Sequence, residues 1–259
     1  MKKNITKKYI KDGIFMVGGF LLIYGVVWSC TNLFSFHKVD NPKDILITNS
    51  AGNGIELAVE FKKGKAHNNP LMAIWIEDTL GNFIQTLYVP KSIGSGVFEH
   101  GIASQGKWKP GQVRRSAALP YWGHRRGIQA EDGLYIPTRE NPVPDAITGP
   151  TPLNDFRLET KTNNKNLRQF RILFEINQTW DWNEYWTYNK FPDDEEYQTS
   201  CQPALVYSAE IDLNQPKVKY VMEPIGHSHY SGKNGNLYTD LGTITTALEI
   251  TEEIVVILK

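Results

Sequence analysis

Leu71–Pro90, LMAIWIEDTLGNFIQTLYVP, reads as a strand, a tight turn and a second strand. Met72, Ile74 and Ile76 fall on one face of the first strand, and Leu71, Ala73 and Trp75 on the other. A strand apolar on both faces belongs between packed layers. Asp78-Thr79-Leu80-Gly81-Asn82 supplies the turn, where glycine takes positive φ without a Cβ clash. Phe83–Val89 then runs back.

Strand-sized runs flank this hairpin on both sides. Asp44–Thr48 (DILIT) is one. In Gly54–Phe61, Ile55, Leu57, Val59 and Phe61 alternate with Glu56, Ala58 and Glu60, the pattern of an antiparallel strand with one wet face. Phe156–Lys161, Phe170–Gln178, Pro203–Leu213, Val218–Met222, Thr243–Ile250 and Glu253–Leu258 follow, the last apolar enough to sit centrally. The runs add up to roughly nine strands, which predicts an all-β fold, an immunoglobulin-like β-sandwich with long loop insertions.

The longest insertion is Lys91–Asp155, rich in Gly and Pro. A stretch of that length carries short elements or a function. Phe98–Lys107 has weak helical spacing, and a second helix within Gly111–Arg126 should end before Pro120. Pro142, Pro144, Pro150 and Pro152 impose extended backbone around DAITG. Asp193–Glu196 lacks the spaced pattern of a calcium loop and reads as a solvated turn.

The chain has 259 residues and a formal net charge of zero, so no global field favours nucleic acid. Met1–Asp12 carries five Lys, and Gly13–Phe36 carries no charge at all. A run of that length spans a bilayer of roughly 30 Å as a helix, with the Lys cluster on the cytoplasmic side. A lipoprotein signal ending at Cys30 is the rival reading, although Trp28 sits awkwardly near such a cleavage point. Both divide the chain into a membrane anchor or signal (1–36) and an extracytoplasmic β-sandwich domain (37–259), in the periplasm. Of the two Cys, Cys201 reads as a small buried residue and no disulfide is expected.

Several motifs in order carry a resemblance: AIWIEDTLGNFIQTLYV, LPYWGHRRG (119–127), DAITGPTP (145–152), LFEIN and PALVYSAEID. They look like a bacterial family of periplasmic proteins known only as a domain of unknown function. Its hairpin is similar to the immunoglobulin-like domain of flagellar hook-capping proteins. The likeness covers roughly Ile55–Ile225, and the Trp-rich insert at 179–188 and the chain from Gly226 depart from it. The family occurs near PepSY-type membrane proteins and flavin transferases. The resemblance therefore implies an accessory of an envelope redox or metal-uptake system, with an envelope membrane protein as partner. It also likens Asp145-Ala146-Ile147-Thr148-Gly149-Pro150-Thr151 to a flavinylation motif, with FMN carried on Thr151. Pro150 stands where that motif has Ala. The plainer reading is an Asx/ST turn around Asp145, Thr148 and Gly149.

His227 and His229 sit two apart, and on extended backbone they would share a face. With Asp240 or Glu223, and His124 or His100 as distant partners, they would suit Zn²⁺ or Cu²⁺. The alternative is a polar loop held by its own hydrogen bonds. Trp180, Trp182, Tyr185, Trp186 and Tyr188 make either a buried satellite core, the favoured reading, or a stacking platform. Arg125 and Arg126 suit a phosphate or carboxylate, or a plain surface ion-pair region. No nucleophile elbow, phosphate-binding Gly loop or H-E-x-x-H is present. The expected role is binding, with an FMN electron carrier and a carbohydrate-binding or hydrolytic protein as alternatives.

Overall fold

The computed structural model describes residues 44–104, 107–143 and 149–259. The expectations for the first 36 residues, for Cys30, and for Asp145 and Thr148 lie outside them. Among the described residues no helix is long and apolar enough to cross a membrane.

Two five-stranded sheets form a β-sandwich. The first runs, in spatial order, β1 (Asp44–Ile47), β7 (Phe156–Lys161), β2 (Glu56–Lys63), β12 (Thr251–Leu258) and β10 (Lys219–Val221). The second runs β11 (Glu223–His227), β9 (Leu205–Asp212), β8 (Gln169–Asn177), β3 (Leu71–Glu77) and β4 (Phe83–Tyr88). β5 (Val97–Ser104) and β6 (Lys107–Gln112) make a separate ribbon. All pairs are antiparallel except β1 with β7. β12 is paired on both sides, as its apolar sequence predicts.

The alternation in β2 places Leu57, Val59 and Phe61 inward. Phe61 stacks on Phe156 at 4.9 Å and on Phe174 of the opposite sheet at 5.8 Å, tying the layers together. The outer face of the first sheet is a charge ladder: Arg157 reaches Glu60 at 2.5 Å and Glu159 at 3.1 Å, and Lys259 reaches Glu159 at 2.8 Å. Partly exposed pairs of this kind contribute about 1 kcal/mol each, so the ladder adds little to the stability of the sheet.

The second sheet differs, and β3 shows why. Met72, Ile74 and Ile76 join the inter-sheet core, while Leu71, Ala73 and Trp75 join a second cluster on the far side. That second cluster is roofed by the insertion: α1 (Lys91–Ser95), α2 (Pro120–Arg126) and Val143. The β3–β4 turn is closed by Asp78 Oδ1, which accepts the Leu80 and Asn82 N–H groups at 2.8 Å each, and Gly81 takes φ +86°.

Four sequence expectations are corrected. Within the expected helix at 98–107, residues 98–104 belong to β5 and Lys107 to β6. Pro120 begins a helix instead of ending one. Thr243–Ile250 holds a 3₁₀ turn (Thr246–Glu249), not a strand. The acidic turn at 193–196 leads into a helix, α3 (Glu195–Ser200), capped by Asp194 accepting from Tyr197 N at 3.1 Å. With β11 and the ribbon added, the described residues hold twelve strands.

Candidate functional site

The site grows from two glutamates that the far face of the second sheet buries completely, Glu77 on β3 and Glu175 on β8. Each holds one end of α2. Leu119 at its N-cap offers no side-chain oxygen, and Pro120 at its first position has no N–H. The first two free donors are Tyr121 N and Trp122 N, and both point into the Glu175 carboxyl, at 3.1 and 2.7 Å. Burial pushes the Glu175 pKa up to about 8, against the pull of these N–H groups and the Ser228 hydroxyl.

Glu77 works at the other end. Its carboxylate accepts from Trp75 Nε1 at 3.0 Å and from Arg171 Nη2 at 2.8 Å. Arg125 Nε of α2 lies 3.2 Å away as an ion pair without hydrogen-bond alignment, and its Nη2 donates to Tyr121 Oη at 2.9 Å. Arg125 is thus a structural clamp. Arg126 differs: its guanidinium lies 5.1 Å over the Trp122 ring, and Nη1 is buried with no hydrogen-bond partner among the described residues. Burial alone pulls its pKa down to about 10.

Held this way, α2 forms one wall of a cavity of about 220 Å³. Trp122, Leu119, Leu134 and Ile136 give it apolar walls; Arg115, His124 and Lys233 give it basic groups; no Asp or Glu lines it. Arg115 lies over the Phe98 ring at 5.2 Å. His124 Nδ1 bonds Pro120 O at 2.8 Å and its ring stacks on Tyr135 at 4.2 Å. Lys233 Nζ pairs with Asp194 at 3.0 Å. A second cavity, lined by Arg126 and Arg114, shares Gln129, Ile136 and Pro137 with the first.

The glycine-rich loop after β11 closes this cavity. His227 and Tyr238 exchange both backbone bonds at 2.8 Å, pinching the loop at its base. A Cβ on Gly232 (φ +73°) would sit 2.0 Å from Ser116 O, and one on Gly235 2.3 Å from His124 Cβ. The glycines let the loop lie directly on α2 and the segment before it. His227 and His229 both pack on Tyr238, with ring centroids 5.4 and 6.1 Å away. Burial lowers the pKa of each. His227 Nδ1 faces Ser228 O at 2.8 Å and therefore carries the proton, whereas His229 Nδ1 accepts from Ser231 N at 3.2 Å. His227 is held by the backbone of Ser228 and of Asp240, so its ring is engaged by its own loop. Among the described residues no group of three or more His, Cys, Asp or Glu is placed to hold a metal ion.

The remaining sequence candidates are scattered. Gly149 O accepts from Lys91 N at 2.9 Å, and an added Cβ there would meet nothing within 4 Å among the described residues. Thr151 is half-buried. Cys201 is buried, and desolvation pushes its thiol up to about 11, so it is the inert residue the sequence predicts. The aromatic segment is the largest reversal: Trp186 is buried, but Trp180, Trp182, Tyr185 and Tyr188 are all exposed. Sequence reasoning missed Glu77 and Glu175. Their signal is a carboxylate on the otherwise apolar face of β3 (LMAIWIE), and one that interrupts the apolar run ILFEI of β8.

The chain matches no family model, no curated protein and no solved structure.

Proposed function

We propose that this chain is a membrane-anchored, extracytoplasmic binding module on an immunoglobulin-like sandwich, an accessory of an envelope redox or metal-uptake system. Its pocket beside α2 takes a small organic anion with an apolar body. The observation that carries the binding reading is the composition of that pocket: apolar walls, three basic side chains and no carboxylate. An anion entering it meets no carboxylate in the lining; Arg115 is its main cationic partner, since Lys233 already pairs with Asp194, and the cleft has a low dielectric. The envelope setting rests on the basic, then charge-free N-terminal sequence and on the motif resemblance.

Benzoate and its neutral isostere benzamide test the pocket. Benzoate should raise the thermal midpoint of the full-length protein more than benzamide, and Arg115→Met should remove the difference. Equal shifts from both compounds, or none, would overturn the anion reading.

A second reading, FMN carried on Thr151, is favoured by Gly149, where an added Cβ would meet none of the described residues within 4 Å, which suits approach by a transferase. Protein from a host that has the transferase would gain the mass of FMN, and Thr151→Ala would lose it. An unmodified, colourless protein from that host sinks this reading and leaves the pocket untouched.

A further inference from the structure

We infer that the exposed aromatic segment Thr179–Tyr188 is a lipid-contact surface, seated at the headgroup–acyl boundary of the bilayer to which the chain is tethered. The inference rests on the anchored reading of residues 13–36.

Trp180, Trp182, Tyr185 and Tyr188 are 67%, 59%, 53% and 47% exposed. They are not loose. Asn183 accepts from Tyr185 N and Trp186 N at 2.9 and 2.7 Å and donates to Thr243 O at 2.9 Å. Trp186 Nε1 donates to Thr243 Oγ1 at 3.1 Å. Trp180 holds φ +58°, a region costly for a large L side chain, with its N–H on Thr199 O at 3.1 Å and the next N–H on Ser200 O at 3.0 Å. A rigid frame therefore keeps large rings in water, an arrangement that marks an interaction surface.

The position of the segment selects the occupant. It follows directly on β8, which ends at Asn177 opposite Leu71. Gln178 Oε1 accepts from Asn68 N at 2.7 Å in the loop that links β2 to β3. That loop starts after Lys63, whose N–H bonds Asp155 Oδ1 at 2.9 Å, and Asp155 O accepts from Asp44 N at 3.0 Å. Asp44 and the aromatic segment thus share one end of the sandwich. Residues 37–43 separate the charge-free run from the end of the described chain; seven residues reach at most roughly 25 Å. Trp and Tyr are the side chains that favour the membrane–water interface, ring in the apolar layer and polar atom in the wet one. Glu184 within the segment and Lys190, whose ammonium lies 3.1 Å over the Tyr185 ring, give the patch mixed charge that favours no headgroup sign, so contact comes from ring insertion and not from charge.

The test uses full-length protein carrying Trp28→Phe, reconstituted in phosphatidylcholine vesicles with and without bromine on the acyl chains near the headgroup. Carbonate extraction reports the anchor, and tryptophan quenching reports the segment. Retained protein should be quenched, to a similar degree with and without phosphatidylglycerol, and Trp180→Ser/Trp182→Ser should lose most of that quenching. Retained protein whose quenching is absent, or unchanged in the double variant, overturns the inference while the anchor stands. An unquenched patch whose emission shifts with a chitooligosaccharide assigns the surface to glycan instead. Release by carbonate overturns the anchor and the inference with it.

Discussion

Glu175 Oε2 lies 2.7 Å from the backbone nitrogen of Trp122, although the two residues are far apart in the chain. The helix that walls the pocket is capped by the sheet beneath it. Because burial raises the Glu175 pKa from 4.5 to about 8, the folded protein binds this proton more tightly than the unfolded chain. Its contribution is therefore most favourable below about pH 4.5 and declines as pH rises toward 8, by about 5 kcal/mol in full. Denaturant unfolding from pH 5 to 8 should show this decline in the wild type and a flatter profile in Glu175→Gln. Parallel profiles would count against Glu175 as its source.

Glu77 sits between two arginines and an indole N–H, with no exposed surface. Removing one partner of a buried pair leaves charge without compensation and costs about 3–5 kcal/mol. Glu77→Ala should lower the thermal midpoint by on the order of 10 °C. Limited proteolysis should cut first near α2, since Arg125 loses its hold on the sheet. A midpoint within experimental error of the wild type would show that the cluster is not a clamp.

Gly81→Ala tests the same cluster from outside. The position has φ +86°, and a Cβ would stand 3.2 Å from Arg125 Nη2 and 3.3 Å from Arg171 Nη2. Backbone strain alone predicts a loss of about 1–2 kcal/mol. Combined with Arg125→Met, the loss should be less than additive, because the crowded guanidinium is gone; strict additivity would leave backbone strain as the whole effect.

Gly232→Ala should detach the His-containing loop from the pocket. At φ +73° a Cβ would overlap Ser116 O at 2.0 Å, and no rotamer relieves a clash with backbone. The sandwich core lies elsewhere, so the global midpoint should move little while the benzoate-dependent shift disappears. Retention of that shift would remove the loop from the site.

Cys201 should resist thiol reagents at pH 8 in the native protein and react once unfolded, as burial and a pKa near 11 require. Rapid native labelling would contradict both.

What the sequence disclosed follows from range. The two apolar faces of β3 are a local pattern that the structure reproduces; the wet face of β2 is reproduced at Glu56 and Glu60, while Ala58 between them is buried. Pro120 misled because the residue that caps its helix is Glu175, which no local window contains. The β5–β6 ribbon misled because its spacing imitates a weak helical period, while pairing between strands decided its state. For Trp180 and its neighbours, average burial argued one way and a hydrogen-bonded frame around Asn183 argued the other. The pocket had a partial trace in LPYWGHRRG, but the basic lining is assembled from Arg115, His124 and Lys233, brought together only by folding.

The parallel pairing of β1 with β7 has a mechanical consequence. Asp44 is matched to Phe156 and Ile47 to Glu159, and Thr48 Oγ1 adds bonds to Leu87 O at 2.7 Å and Thr160 Oγ1 at 2.9 Å. Tension applied through the residues before Asp44 and resisted at the opposite end of the domain runs along this strand. It loads the hydrogen bonds between β1 and β7 together, in shear, where a hairpin pulled open at its end would surrender them one at a time. The first strand is short, yet it is oriented to bear a pull.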